Sequence, residues 1–208
     1  GLSYPLTGST GDGYRFAQQA GHTIVPLTPS LVPLVVKEQW CSKLQGLSLK
    51  NVLLTVTHRQ DGKRVFQEQG EMLFTHYGIS GPLVLSASSH LREMRPERYR
   101  IAIDLKPALT PEQLDTRILR DFELFKNKDF SNALDKLLPR KMIPVVISLS
   151  GIPESTKVNQ ISREQRQKLG RIIKCLELTV LRFRPVEEAI ITSGGVSTKE
   201  INPKTMES

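Results

Sequence analysis

Tyr99-Arg100-Ile101-Ala102-Ile103-Asp104-Leu105, then Lys106-Pro107-Ala108-Leu109, then Thr110-Pro111-Glu112-Gln113-Leu114: within this stretch the chain changes its period. Before Pro107, apolar and polar residues alternate, the two-residue period of a half-buried strand. After it, Thr110-Pro111-Glu112-Gln113 reads as a capping box with proline at the first helical position, a pattern that satisfies the free N–H groups of a helix start. Leu114, Ile118, Phe122 and Phe125 follow as one apolar stripe at helical spacing. Ser131 opens a shorter helix carrying Leu134, Leu137 and Leu138, which Pro139 ends. Ser162-Arg163-Glu164-Gln165 is a second capping box, with Leu169, Ile172, Ile173 and Leu176 behind it. The period then reverts, and Leu178–Phe183 reads as strand.

Upstream of the switch the signals are mostly β. Val52, Leu54 and Val56 alternate with Leu53, Thr55 and Thr57, and an Asp61-Gly62 turn leads into Arg64–Glu68 as a hairpin. Gly81–His90 reads as one helix opened by Pro82. Toward the N-terminus, a glycine-punctuated loop enters a short helix that runs to about Ala20 and is closed by Gly21, with His22–Val25 a buried strand. Toward the C-terminus, Glu188–Thr192 reads as strand, separated from the preceding one by Pro185. The expected fold class is α+β: a β-barrel-like domain over residues 31–106, a helical subdomain over 107–175 inserted into it, and a return strand of the barrel over 176–186. Residues 1–30 and 187–208 flank this unit.

Composition excludes several classes. The 208 residues are 38% hydrophobic and 24% charged, which fits a folded domain and not a disordered chain. No apolar run approaches the roughly 20 residues of a membrane helix. No basic-then-apolar leader is present, and the expected location is the cytoplasm, with no membrane partner. Two cysteines, Cys41 and Cys175, and four scattered histidines make neither a disulfide scaffold nor a metal site, so no metal is expected. The net charge is +8, and the segment from Arg92 to Arg184 carries 20 basic against 12 acidic residues. Such a surface is either plain solvated helix or a seat for an anionic partner. Aromatic residues make up only 6% and none interleaves a basic run, so a stacking platform for nucleic acid is not expected.

Three motifs can carry chemistry. Thr7-Gly8-Ser9-Thr10-Gly11-Asp12-Gly13 lets backbone approach a ligand at a helix start, although a plain glycine turn with Asp12 as N-cap explains it equally. It is neither a P-loop nor a Gly-x-Gly-x-x-Gly fingerprint. Phe74-Thr75-His76-Tyr77-Gly78-Ile79-Ser80-Gly81-Pro82 offers an imidazole and hydroxyls before a helix, with Ser80 also a candidate N-cap. It is one residue short of a nucleophile elbow after Ser80. Thr192-Ser193-Gly194-Gly195-Val196 places glycines after a strand, where a tight turn is the alternative.

Taken together and in this order, with Gly1-Leu2-Ser3-Tyr4-Pro5 ahead of the first, the three motifs resemble those of the aminoacetone-oxidase and bile-acid-reductase-like family of bacterial FAD-dependent flavoproteins, NAD(FAD)-utilising dehydrogenases in type. The resemblance spans essentially the whole chain. It implies that the barrel and helical bundle form an insert in a Rossmann-type FAD domain, with the flanks as remnants of that domain. A Gly-x-Gly-x-x-Gly segment would precede Gly1 and a second flavin segment would follow Ser208. It further implies an FAD-dependent oxidoreductase acting on a small-molecule substrate, with NAD(P)H or oxygen as electron partner, the flavin carrying the redox step. Thr75, His76 and Ser80 would contact substrate or flavin in the catalytic site, His76 as a proton donor or acceptor. Ser9, Thr10, Gly11, Asp12 and Gly13 would bind cofactor with Gly194, Gly195 and Val196, largely by backbone. The alternative is a non-enzymatic module whose basic barrel and helices hold an anionic partner such as RNA.

Because FAD affinity rests on a pyrophosphate seated at a glycine-rich helix start, the isolated chain is expected to be colourless and the full-length protein yellow. Visible absorbance of the two purified proteins checks this; stoichiometric flavin on the 208-residue chain contradicts it.

Overall fold

Val52, Leu54 and Val56 are buried while Leu53, Thr55 and Thr57 between them are only half-buried, so the alternation read from the sequence is the inside and outside of a sheet. The computed structural model describes all 208 residues. Its centre is a closed six-stranded barrel. The strands are β2 (Leu34–Val36), β3 (Ser48–His58), β4 (Arg64–Phe74), β5 (Gly78–Ser80), β6 (Tyr99–Asp104) and β7 (Leu176–Phe183), preceded in the chain by β1 (Ile24–Ser30). They run in the order β2-β5-β4-β3-β6-β7, every neighbouring pair antiparallel, and β7 returns to β2. The hairpin expected at Arg64–Glu68 extends to Phe74, so β3 and β4 are the long staves.

The helical block lies between β6 and β7: α3 (Pro111–Leu124), α4 (Ile143–Ser150) and α5 (Arg163–Lys174), the first two helices of the chain being α1 (Asp12–Gln19) and α2 (Pro82–Ser88). Both capping boxes form, Thr110 accepting from Gln113 N–H and Ser162 from Gln165 N–H, each with the reciprocal side-chain bond. Barrel and helices share one cluster of 39 buried apolar residues, so they are a single packed body. Lys174 ties the two together: its ammonium sits 2.5 Å from Asp104 and donates to the carbonyls of Lys106 and Leu109.

The structure corrects several local expectations. The helix expected from Ser131 is a short 3-10 turn, Phe130–Asn132, followed by turns; the stretch before Pro139 is too short to propagate, although Leu134, Leu137 and Leu138 are buried as the stripe required. A helix forms instead at Ile143–Ser150, where the sequence is apolar nearly all round and shows no stripe to read. Gly11, in the left-handed region at φ 80°, is the N-cap of α1, and Asp12 is the first helical residue, accepting from Thr10 Oγ1. Gly81 caps α2, which leaves Ser80 inside β5. The expected buried strand at His22–Val25 starts at Ile24 and is largely exposed, because it pairs only with β8 (Ile191–Val196) in a two-stranded ribbon. The expected strand Glu188–Thr192 begins as a 3-10 turn, Val186–Glu188, and pairing starts at Ile191.

Gly78 is where closure is tightest, since a Cβ there would stand 2.4 Å from the Leu34 carbonyl oxygen. Gly78→Ala is expected to cost about 1–3 kcal/mol, the usual range for forced overpacking. Thr110→Ala, which loses one cap, is expected to cost about 1 kcal/mol. Urea denaturation of both variants reads the difference.

Candidate functional site

Phe74 ends β4 and Gly78 begins β5, so Thr75, His76 and Tyr77 form the tight connection between two neighbouring staves. Thr75 organises it: its N–H donates to the Gly78 carbonyl at 2.9 Å, and its hydroxyl accepts from Gly78 N–H at 3.1 Å. That pairing leaves His76 exposed at the tip and Tyr77 half-buried. The Tyr77 carbonyl accepts from Val36 N–H, which fastens the connection to β2.

The chain beyond β7 comes to the same place. Arg184 N–H donates to the Pro33 carbonyl, and its guanidinium lies 4.3 Å from the centre of the Tyr77 ring. The His76 ring also meets the Tyr77 ring edge-on, their centres 4.8 Å apart. Glu188, four residues on, accepts from Arg184 Nε at 3.1 and 3.0 Å through its two oxygens and also from Nη2. The Arg184 hydrogen bonds, then its charge and that of His76, hold the Glu188 carboxyl below the ordinary carboxylate range. Burial, and next Glu188, push the Tyr77 phenol above its ordinary value. Tyr77 is therefore a neutral O–H donor across the physiological range, next to a fixed guanidinium and an exposed imidazole.

Of the expected catalytic set, Thr75 and His76 share this connection, while Ser80 lies half-buried further along β5. The sequence reading passed over three participants, Tyr77, Arg184 and Glu188. Arg and Glu spaced by four around Pro185 were the available signal, but nothing local says that Arg184 returns to Pro33.

The expected cofactor residues gather elsewhere, in the flanking unit. Gly11 N–H donates to the Gly1 carbonyl, and Thr192 Oγ1 accepts from Leu2 and Ser3 N–H, so the N-terminal loop is stitched to β8. Gly195 is buried against Tyr14 of α1, where a Cβ would come within 3.1 Å of the ring, and Val196 pairs with Ile24. Gly194 sits opposite the β1 bulge, with no room for a Cβ beside the Pro26 carbonyl at 2.3 Å. Gly8 and Gly13 instead face open space. Ser9 bonds only Thr7 through its hydroxyl, at 3.3 Å. The structure thus makes two clusters, one at the barrel and one in the flank, joined through the turn that carries Glu188.

Residues 28–191 match the HI0933-like protein barrel and H2TH domain. The chain belongs to the HI0933-like family. The closed barrel and the α3–α5 helices both lie within the matched residues. Among curated relatives, the HI0933-like chain is 29% identical over 203 residues to a 3-dehydro-bile acid delta(4,6)-reductase of Clostridium scindens, covering 97% of this chain and 49% of that protein. It is 32% identical over 210 residues to a ribosomal RNA dihydrouridine synthase of Haemophilus influenzae and 30% over 212 residues to that of Escherichia coli, covering 100% of this chain and 49% of each relative. The HI0933-like chain therefore spans about half the length of the curated relatives it matches.

A lowered carboxyl pKa in the folded state means that the Arg184–Glu188 pair contributes fully above the ordinary carboxylate range and is lost as pH falls through the folded value. NMR titration of Glu188 is expected to place its midpoint below the ordinary carboxylate range, and Arg184→Ala is expected to move it back up.

Proposed function

We propose that this chain forms the substrate-side half of an FAD-dependent oxidoreductase that saturates a carbon–carbon double bond conjugated to a carbonyl, with NAD(P)H as the electron source. The observation that carries the reading lies in the relatives: a delta(4,6)-reductase and a dihydrouridine synthase are both named for adding two hydrogens across such a bond. That addition divides into a hydride and a proton.

The residues of the flanking unit suit one edge of a flavin. Gly8 and Gly13 have open space where side chains would stand, and the N–H groups of Asp12 and Gly13 have no partner within the chain. Asp12, exposed at the start of α1 and paired with Arg15 at 2.9 Å, disfavours a phosphate there and favours a neutral ring edge. Ser9, Thr10, Gly11, Asp12, Gly13, Gly194, Gly195 and Val196 would hold that edge. Bound there, FAD supplies the hydride.

The proton is the task of the barrel connection. Tyr77 holds a neutral phenol toward the substrate carbonyl, and Arg184, anchored by Glu188, adds a fixed positive charge where electron density accumulates. His76, exposed at the tip, delivers the proton to the carbon that does not take the hydride. Thr75 fixes the backbone that presents both, and Ser80 contributes a hydroxyl to the wall.

In the full-length protein, His76→Ala is expected to slow oxidation of the reduced flavin by an unsaturated substrate by about 100-fold or more, the usual contribution of a general acid, with the flavin spectrum unchanged. Tyr77→Phe is expected to slow the same step. Stopped-flow absorbance with uridine-containing RNA and a steroid dienone as oxidants reads both variants. A full-length protein without flavin, or unaltered rates in both variants, overturns the reading.

A further inference from the structure

β3 runs beside β6 only from Leu53, which pairs with Asp104, to His58. The residues before it, Ser48–Val52, have no strand on that side, because the chain leaves β6 for the helical block. Leu105 N–H already donates to the Ile173 carbonyl of α5, at 2.9 Å. The gap is walled on its far side by Leu137 and Leu138, in the turns before Pro139, and by Met142, which caps α4. It forms a hollow of about 260 Å³ whose apolar lining is Leu49, Val52, Leu105, Leu137, Leu138 and Met142, all of them buried. A second hollow of about 290 Å³ shares Lys50, Leu105 and Lys106 with the first, so the two lysines stand at the boundary between them.

β3 carries a bulge at this point. Leu49 faces Met72 and Val52 faces Gly70, which leaves Lys50 and Asn51 together opposite Glu71 alone. Asn51 takes the left-handed backbone conformation at φ 54°. A bulge gives up regular pairing and re-aims side chains, and this one brings Lys50 into the lining beside Lys106. Neither lysine forms an ion pair. Asp104 is held by Lys174 and accepts from the Lys106 backbone N–H, and Asp121 is held by Arg117. Lys106 is half-buried; burial, and next the Arg117 charge, lower its pKa from the ordinary lysine value. A cation in that position lacks both full hydration and a counter-charge. No carboxylate lines either hollow. The clefts at the hairpin end and between α3 and α5, by contrast, mix cations with carboxylates in linings that hold no hydrophobic residue.

We propose that the hollow binds a short aliphatic carboxylate, its chain against the leucines and Met142 and its head between Lys50 and Lys106. The site goes beyond the proposed reaction, since its lining shares no residue with the Thr75–Tyr77 connection, Arg184, Glu188 or the flanking unit. Charge gives the head: two ammonium groups face the space and no anion answers them. Two point charges without an arginine fork suit a compact carboxylate better than a phosphate. Asn51 and Gln69, which line the second hollow, add amide donors. Size gives the tail. At 260 Å³ the apolar hollow falls below the roughly 300–1,000 Å³ of pockets for drug-sized ligands, which admits an unbranched chain and excludes a fused ring system.

The test is calorimetric titration of the 208-residue chain with sodium octanoate, with amide NMR to locate the site. Saturable one-to-one binding is expected, shifting the amides of Ser48–Val52, Leu105 and Lys106. Hexanoate, with two fewer buried methylenes, is expected to bind about tenfold more weakly. Octanol is expected to bind at least about tenfold more weakly than octanoate, the loss of a charge-assisted contact. Lys50→Gln/Lys106→Gln is expected to weaken octanoate about tenfold, to leave octanol unchanged and to melt no lower than the parent. Lys50→Arg/Lys106→Arg is expected to retain octanoate. Arg184→Ala is expected to leave octanoate affinity unaltered, which keeps this site distinct from the proposed reaction. Absence of saturable binding, amide shifts confined to the Thr75–Tyr77 connection, equal affinity for octanol, undiminished octanoate binding in the glutamine variant, or tighter binding of octyl phosphate or of a bile acid overturns the proposal.

Discussion

Leu34, Val35 and Val36 hydrogen-bond on both sides, to β5 through Ile79 and Gly78 and to β7 through Phe183, Arg182 and Val180. This short strand is what turns a curved sheet into a barrel with no free edge. So brief a strand offers few ladder bonds, and its backbone must lie very close to its neighbour. Gly78, with the Leu34 carbonyl occupying the space of a Cβ, is the form that closeness takes in the sequence. Closure also brings the chain that leaves the helical block back beside the strands that precede it. Arg184 can reach Tyr77 only because β7 lies against β2 and Arg184 N–H can find Pro33. The cluster at the barrel is a consequence of closure.

Elements with a strong local signal were legible in the sequence. The two capping boxes, the long alternation of β3 and the stripes of α3 and α5 each need only neighbours within a few residues, and each formed. Where the reading missed, the deciding contact was distant or the pattern was uniform. Ile143–Ser150 packs into the shared core on most of its circumference, with only Pro144 and Ser148 exposed, and so narrow an outer side, half of it proline, leaves little period to read. Asp12 looked like an N-cap by residue type, yet Thr10 engages its carboxylate and Gly11 takes the cap conformation. The candidate site divides in the same way. Thr75, His76 and Ser80 lie in one short string, whereas Arg184 and Glu188 join them through a barrel register that no local pattern states.

Charge follows the same architecture. The excess carried between Arg92 and Arg184 looks uniform along the sequence, and the fold engages only part of it, leaving Arg163, Lys168 and Arg171 of α5 exposed without an ion pair. On the helices, Arg117, Arg166 and Lys174 are drawn into pairs and carbonyl contacts that hold the helices to one another and to the barrel. At the β3–β4 hairpin end, Glu97 bridges Lys37 and Arg59, Glu93 pairs with Arg98 and Asp61 accepts from Lys63 N–H, while Lys63, Arg64, Arg92 and Arg95 face solvent. Surface pairs of this kind add little stability each. Their effect is on shape: Glu97 and the Arg59 N–H to Arg98 carbonyl bond lay the segment before β6 against the hairpin.

The Arg184–Glu188 pair has a further consequence for the proposed chemistry. It straddles the turn Val186–Glu188, the covalent link from β7 to the β1–β8 ribbon, while Ile190 N–H to the Leu31 carbonyl ties the second crossing of the same joint. A two-stranded ribbon has little rigidity of its own, and this one is braced by His22 and Glu200 at 2.9 Å at one end and by Thr192 holding the N-terminal loop. In an enzyme whose cofactor edge lies on the ribbon and whose proton donor lies on the barrel, the angle at this joint sets the distance between hydride source and substrate. Reacting atoms must come within about 3–3.5 Å, and an error of about 1 Å is enough to cost roughly 100-fold in rate. Under the proposed function Arg184 would then have two tasks that cannot be separated by position alone: presenting charge beside Tyr77 and, through Glu188, fixing the joint between the two halves of the proposed site.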